Sequence, residues 1–457
     1  MARRCCRLRR LLICLCTPFF LVISLYIFLA VKITMDMQSM STQQAVVHPT
    51  QEKPFFVATG ILNTDRNHLV PKSFWGENLQ MNGLWNKLQQ CADNHFNGIL
   101  YPKKAKDVSK REIFDDNLLE QTFTHIISRE KRNNSEKLPD EMQDFINNML
   151  KRDYPILIQP NGMCGAQAKR EIAPPLILLA IKTTELNFKN RQAIRRTWGR
   201  AGWVKGQRIN SSDEEPAGGY VRRVFLLGRE SSAEMGIDLS EVLRRENKLY
   251  GDILQWDFSD TFFNLTLKDV LFWSWFSQHC GQAVFVLKGD DDVLVNTPKL
   301  ITYLHQQLNK SQNNNLEEFM VGDVIEAGHP NRELTSKYFI PESFYKGLYP
   351  TYAGGGGVVY SGLLARRLHN VSKAVHLFPI DDVYVGMCMR RLNIHPLHHS
   401  AFLTLSFLEE EEQCAYHSIL LVHKRSPKQL VKLWADMKKT QKQCEDVPLR
   451  AAEKEEE

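Results

Sequence analysis

The segment Val284-Phe285-Val286-Leu287-Lys288-Gly289-Asp290-Asp291-Asp292-Val293-Leu294-Val295 constrains the fold more than any other stretch. An apolar run of strand length stops at a glycine and delivers three adjacent carboxylates, and a second apolar run follows. Neighbouring like charges repel, and gathering them at the end of a buried strand is costly without a cation. A hard divalent ion carrying a phosphorylated ligand relieves that cost, because oxygen ligands suit Mg²⁺ or Mn²⁺ and phosphates complete the shell. Strand ends in α/β sheets are where such ligands bind. The plainer reading of the same residues is a solvated acidic turn.

Around this segment, apolar runs of strand length alternate with helical patterns. Residues 174–182 read as a buried strand of the parallel-sheet kind, and 220–227 as another. A short strand at 252–257 follows, and 284–287 feeds the acidic triplet. Helical character lies between them at 191–198, 239–250 and 265–279, the last with a heavy aromatic face. This alternation predicts an α/β fold with a Rossmann-like, mostly parallel sheet flanked by helices. No G-x-G-x-x-G follows the first strand, which disfavours a dinucleotide oxidoreductase.

The N-terminus carries a second strong signal. Arg3, Arg4, Arg7, Arg9 and Arg10 precede an uncharged apolar segment at 11–31, long enough to cross a bilayer as a helix of roughly 20 residues. No small-residue cleavage site follows, so the segment reads as an uncleaved signal anchor. The arginines keep residues 1–10 in the cytosol and the remainder in the lumen. Cys5, Cys6, Cys14 and Cys16 cluster here, open to palmitoylation or to inert packing. Residues 32–72 are polar and weakly periodic and read as a stem. Residues 73–165 read as a helical accessory region, with patterns at 84–88, 114–123 and 142–149 and a turn near Asn161. A catalytic domain at 166–444 and a polar tail at 445–457 complete the division.

Six further cysteines, Cys91, Cys164, Cys280, Cys388, Cys414 and Cys444, fit disulfides in an oxidising compartment, with the pairing left open. Sequons for glycosylation stand at Asn133, Asn210, Asn264, Asn309 and Asn370. The net charge of +6 over 457 residues is modest and lacks aromatic interleaving, so nucleic acid is not an indicated partner.

Three more motifs bear on chemistry. Tyr349-Pro350-Thr351-Tyr352-Ala353-Gly354-Gly355-Gly356-Gly357 places four glycines before a strand, where backbone can approach a ligand closely or simply flex. Pro379-Ile380-Asp381-Asp382-Val383 sets two carboxylates before a helix, either as an N-cap or as a general base. His423 ends an apolar run, and is structural unless an acidic site lies beside it.

Taken in order, these motifs resemble the β-1,3-linking Golgi glycosyltransferases. The resemblance is carried by Arg191-Gln192-Ala193-Ile194-Arg195-Arg196-Thr197-Trp198-Gly199, Val224-Phe225-Leu226-Leu227-Gly228, Gly251-Asp252-Ile253-Leu254-Gln255-Trp256 and residues 260–268. The triplet, residues 353–357 and 379–383, and Leu421-Val422-His423 complete the set. The blocks at 251–268 and 378–387 look closest to the β-1,3-N-acetylglucosaminyltransferases that extend poly-N-acetyllactosamine. The resemblance implies a GT-A fold and a metal-dependent, inverting single displacement, with Mn²⁺ or Mg²⁺ as cofactor. The implied donor is UDP-GlcNAc and the acceptor a galactose-terminated glycan of glycoprotein or glycolipid. It also implies a single-pass type II protein of the Golgi membrane; its oligomeric state, homo- or hetero-, is left open.

Residue by residue, the resemblance assigns Asp382 as catalytic base with Asp381 its neighbour, and Asp292 and His423 to the metal. Asp290 goes to the ribose or donor sugar, with Asp291 beside it. Arg191, Arg195 and Trp198 fall on the uridine side, and Lys182 and Gly354, Gly355, Gly356 and Gly357 near the donor. Leu294 and Val358 depart from aromatics usual in the family, and Lys151 from a cysteine. The other readings are a β-1,3-galactosyltransferase using UDP-Gal, an inactive luminal carbohydrate-binding protein of the same fold and, last, a luminal Ca²⁺-binding protein, whose EF-hand spacing is missing.

Overall fold

The computed structural model describes residues 83–95, 121–129, 138–160, 164, 174–209, 217–230, 239–311, 316–404 and 414–451. All of these fall within one compact unit, Phe55–Glu457. Among them no helix is long and apolar enough to cross a membrane. The proposed anchor at 11–31, the stem, Cys5, Cys6, Cys14, Cys16, Asn133, Asn210, the turn at Asn161, most of the 114–123 pattern and the acidic end of the tail lie outside the described residues.

The strands in chain order are β1 Ile156–Ile158, β2 Ile177–Lys182, β3 Gly202–Val204, β4 Gly219–Arg229, β5 Ile253–Ser259, β6 Phe285–Asp290 and β7 Leu294–Val295. They continue with β8 Met320–Gly322, β9 Val324–Ile325, β10 Tyr352–Ala353, β11 Gly357–Ser361, β12 Leu397–His398, β13 Phe402–Leu403 and β14 Leu421–Val422. The helices are α1 Leu84–His95, α2 at 121–129, α3 Asp140–Asn148, α4 Phe188–Arg196 and α5 Ser240–Tyr250. After them come α6 Leu265–His279, α7 Thr297–Ser311, α8 Gly362–Ser372, α9 Asp381–Arg391 and α10 Pro427–Thr440.

The central sheet runs β1-β5-β4-β2-β6-β11-β8-β12, with β3 on β4. Strands β5, β4, β2 and β6 are mutually parallel, as the alternating pattern predicts. β1, β3 and β11 join antiparallel, so the sheet is mixed. Side chains alternate faces along each strand. Leu178 and Ala180 therefore enter one core with α6, α8 and α9, while Ile177, Leu179 and Ile181 enter the other with α4, α5, α7 and α10. Both faces are covered, which is why β2 reads as an unbroken apolar run.

The chain leaves β2 to build β4 and β5 on one side, then returns through α6 to place β6 on the other. The carboxyl ends of β2 and β6 thus meet at a switch point, with Lys182 opposite Asp290. β6 does not stop at its glycine. It continues to Asp290 because β11 pairs along it, with Gly357 opposite Gly289.

The region at 73–165 contributes to this same body. Leu84, Trp85, Leu88, Phe123, Met142 and Phe145 share the core with α6, α8 and α9. The first N–H groups of a helix have no partner within it. Those of Leu84 and Trp85 donate to the carbonyls of Ser343 and Phe344, both at 2.8 Å. Gln89 then clamps the segment before α9, donating to Ala374 O at 2.9 Å and accepting from His376 N at 2.9 Å. Two disulfides form among the described residues, Cys164–Cys280 and Cys414–Cys444, whereas Cys91 and Cys388 are free.

Trp85 is fully buried, meets Tyr345 and Phe378 edge-on at 5.5 and 5.9 Å, and donates from Nε1 to His376 O at 3.2 Å. Trp85→Ala is expected to cost about 3–5 kcal/mol of stability, measured by chemical denaturation.

Candidate active site

Two carboxylate groups face the same run of glycines at the switch point. The first follows from strand pairing. β14 lies antiparallel to β7, with Val422 opposite Leu294, and Arg425 N donates to Asp292 O at 2.7 Å. This sets His423 beside the triplet, its Nε2 3.1 Å from Asp292 Oδ1 and 3.8 Å from Asp290 Oδ2. Burial alone would lower the ring's pKa, but the hydrogen bond and charge of Asp292, with Asp290, raise it. Ligand atoms of Asp290, Asp292 and His423 all lie within 4.8 Å of one another. The two carboxylates are 41% and 40% exposed, so a bound cation would keep open positions for phosphate oxygens. A divalent cation fits this set. Asp290 belongs to it geometrically, where the resemblance assigns it to the ribose or sugar.

Asp291 turns the other way. Its carboxylate is buried and accepts from Thr183 Oγ1, from Asn187 Nδ2 at 3.0 Å and from Asn190 Nδ2 at 3.1 Å. Burial pushes its pKa up to about 6 against those hydrogen bonds. It anchors the loop between β2 and α4.

The second group starts α9. Ile380 is the N-cap and makes no side-chain cap bond, so Asp381 and Asp382 are first-turn residues and not caps. The helix dipole favours carboxylates there. Asp381 is buried and accepts from Lys182 Nζ and, at 3.3 Å, from Lys288 Nζ. Burial opposes its ionisation, yet the two ammonium groups hold its carboxyl well below the usual range. Asp382 accepts from Lys288 Nζ at 3.1 Å and is 17% exposed. Burial and the charge of Asp381 push its pKa up to about 7. A partly exposed carboxylate poised near neutrality can accept a proton from a bound alcohol.

The glycines join the two groups. A Cβ at Gly355 would lie 3.1 Å from Asp382 Oδ2, and one at Gly356 only 2.8 Å from His423 Cγ. Gly356 also has φ +90°, and its carbonyl accepts from Asp290 N at 3.1 Å. Cβ atoms at Gly354 and Gly357 would meet Ile325 at 2.9 Å and Leu421 at 2.6 Å. The glycines therefore make room for the protein's own side chains, whatever ligand they also admit.

Several residues assigned to the donor side are engaged within the protein. Lys182 is spent on Asp269, at 2.9 Å, and on Asp381. Arg191 donates to Thr184 O, to Glu185 O at 3.2 Å and to Glu246 at 2.9 and 2.8 Å. Arg195 pairs with Asp252 and Glu246 and lies over the rings of Phe225 and Tyr250. Trp198 is buried in the core. The guanidinium groups of Arg191 and Arg195 are engaged within the protein, while Trp198 Nε1 is buried without a partner. They brace α4 and the loop after β2.

Among the sequons, Asn264 is buried. It is 6% exposed and its Nδ2 donates to Ser259 O at 2.9 Å, while Thr266 Oγ1 donates to Phe378 O at 2.6 Å. Asn309 and Asn370 are exposed. Sequence reasoning missed Lys288, Asp269, Thr183, Asn187 and Asn190. A Lys268-Asp269 pair inside an otherwise apolar α6 is a signal for buried pairing.

A galactosyltransferase family model matches residues 189–400. Human N-acetyllactosaminide beta-1,3-N-acetylglucosaminyltransferase 2 is 37% identical over 379 residues, covering 82% of this chain and 90% of that protein. Its human relative numbered 4 is 40% identical over 303 residues, covering 65% and 72%. Rattus norvegicus UDP-GlcNAc:betaGal beta-1,3-N-acetylglucosaminyltransferase 7 is 37% identical over 306 residues, again covering 65% and 72%. The chain belongs to this β-1,3-N-acetylglucosaminyltransferase family. Lys182 and His423 fall outside the residues matched by the family model, so their place in the site rests on the geometry above.

Gly356→Ala is expected to weaken Mn²⁺ binding by about 10- to 100-fold in calorimetric titration, since the new methyl strikes the His423 ring. In chain made through a secretory route, glycopeptide mass spectrometry is expected to find Asn264 unmodified.

Proposed function

We propose that the protein transfers N-acetylglucosamine from UDP-GlcNAc in β-1,3 linkage to a terminal β-galactose of glycan acceptors, with inversion in a single displacement. The observation that carries this reading is proximity: Asp382 lies beside Gly355 and His423 beside Gly356, whose carbonyl accepts from Asp290 N, and His423 groups with Asp290 and Asp292. The mixed sheet with its switch-point site supports a GT-A arrangement. A divalent cation held by Asp290, Asp292 and His423, Mn²⁺ or Mg²⁺, would supply charge neutralisation for the UDP leaving group.

The residues of the chain do the rest. Asp382 takes the proton of the galactose 3-hydroxyl as its oxygen attacks the anomeric carbon. The bond from that carbon to the diphosphate breaks, and its electron pair leaves with UDP. Lys288 holds the Asp382 carboxylate in place from β6, and Asp381, fixed by Lys182, anchors the helix turn that carries it. Attack from the side opposite the leaving group converts an α donor to a β product.

In the same reading, residues 11–31 anchor a type II protein in the Golgi membrane with the catalytic body luminal. The disulfides Cys164–Cys280 and Cys414–Cys444 support an oxidising compartment. Linkage analysis of products from purified luminal chain, Mn²⁺ and a panel of galactose-terminated acceptors tests the reading. UDP-GlcNAc is expected to serve as donor and UDP-Gal to fail; transfer from UDP-Gal alone overturns the donor assignment.

Asp382→Asn is expected to lower kcat by at least about 10²-fold while UDP affinity, measured by calorimetry, stays near that of the unmodified enzyme. Equal loss of both would mark Asp382 as structural. The base must be unprotonated to act, and its pKa is raised towards 7. Activity is therefore expected to rise with pH through neutrality and to be lost below it, not near the pH of about 4 at which an ordinary carboxylate titrates.

A further inference from the structure

Asp269 stands outside every motif that marks the site; the block of resemblance at 260–268 ends one residue before it. It lies on α6, fully buried. Its Oδ2 accepts from Lys182 Nζ at 2.9 Å and from Lys288 Nζ at 3.3 Å. Its Oδ1 is buried without a hydrogen-bond partner. A charged oxygen left bare inside a protein is expensive. The two lysines already have Asp381 as a partner, so pairing alone does not require Asp269.

The charges of the cluster do not balance. Lys182 and Lys288 face three carboxylates, Asp269, Asp381 and Asp382. One negative charge is in surplus. Asp269 is enclosed and contacts both ammonium groups, as does Asp381. Asp382 contacts Lys288 alone and is the most exposed of the three. A carboxylate that shares its one cation with two others is the first to take a proton.

We infer that Asp269 is a positioning residue for the transfer reaction: by occupying Lys182 and Lys288 from the α6 side, it leaves Asp382 as the surplus carboxylate and keeps it basic enough to accept the acceptor's proton. The inference rests on Asp382 being the base. Other groups face the cluster. Asp290 on β6 adds negative charge toward Asp382, and a bound cation would offset it. Tyr352 on β10 faces Asp382, while Tyr360 on β11 and Cys388 on α9 face Asp269. Burial pushes the Tyr352 phenol and the Cys388 thiol up to about 12 and the Tyr360 phenol higher still, so none of the three carries charge near neutrality.

The test is the pH profile of kcat/KM at saturating Mn²⁺. Asp269→Asn removes the charge and keeps the shape, leaving two cations and two carboxylates. The acidic limb is expected to move down by about one pH unit or more, with kcat at pH 8 reduced because the base is weaker, and with UDP and Mn²⁺ affinity unchanged. Adding Lys182→Gln in the same chain restores the surplus, and the limb is expected to return upward. Should Asp269→Asn fail to fold, Lys182→Gln alone tests the same count: the surplus grows, and the limb is expected to rise. A limb that stays in place while activity falls equally at every pH overturns the inference and marks Asp269 as structural. Asp382→Asn separates the two readings. Survival of the acidic limb in that variant would sink the base assignment, whereas its disappearance beside an unmoved limb in Asp269→Asn would sink only the role given to Asp269.

Discussion

The ammonium groups of Lys182 and Lys288 sit where β2, β6, α6 and α9 converge. Asp269 and Asp381 reach them from the two helices, so the ion cluster ties the sheet's switch point to the turn that carries Asp382. Removing either lysine would leave buried carboxylates short of a cation, so the two ammonium groups hold the geometry of the site together. The cation group does not depend on that cluster. It is assembled by backbone pairing, through β11 against β6 and β14 against β7. Two independent constructions thus meet across four glycines.

This division of labour bears on how charge is handled. The cation group is half-exposed and stays available to solvent and phosphate, as ligand exchange requires. The lysine cluster is nearly sealed, and there small changes in partner count alter basicity strongly. Asp381 and Asp382 are neighbours in the chain with opposite shifts, one carboxyl held well below the usual range and the other raised. Their separation comes from the lysines: Asp381 contacts both, Asp382 one.

What the sequence discloses is local. The alternation of strand and helix, the triplet, the glycine run and the paired aspartates are each contiguous patterns, and each appears where its pattern predicts. What it hides is direction and long-range pairing. Nothing in Asp290-Asp291-Asp292 says that the middle carboxylate turns inward to Thr183 and Asn187. Lys182 and Asp381 are separated by 199 positions, and only the closed sheet brings them together. The resemblance puts Arg191, Arg195 and Trp198 on the uridine side; the structure adds that the two arginines pair with Glu246 and Asp252 and that Trp198 is buried in the core. Asn264 carries a valid sequon, and a motif of three letters is blind to its own burial.

The docking of α1 carries a practical consequence. Its first turn is capped by carbonyls from the 343–344 segment, and its Gln89 grips the residues that lead into α9. A recombinant fragment trimmed to the residues shared with the family model would discard β2, Lys182 and this clasp together. The folded body therefore includes the helix Leu84–His95, within the stretch that reads from sequence as a helical accessory region.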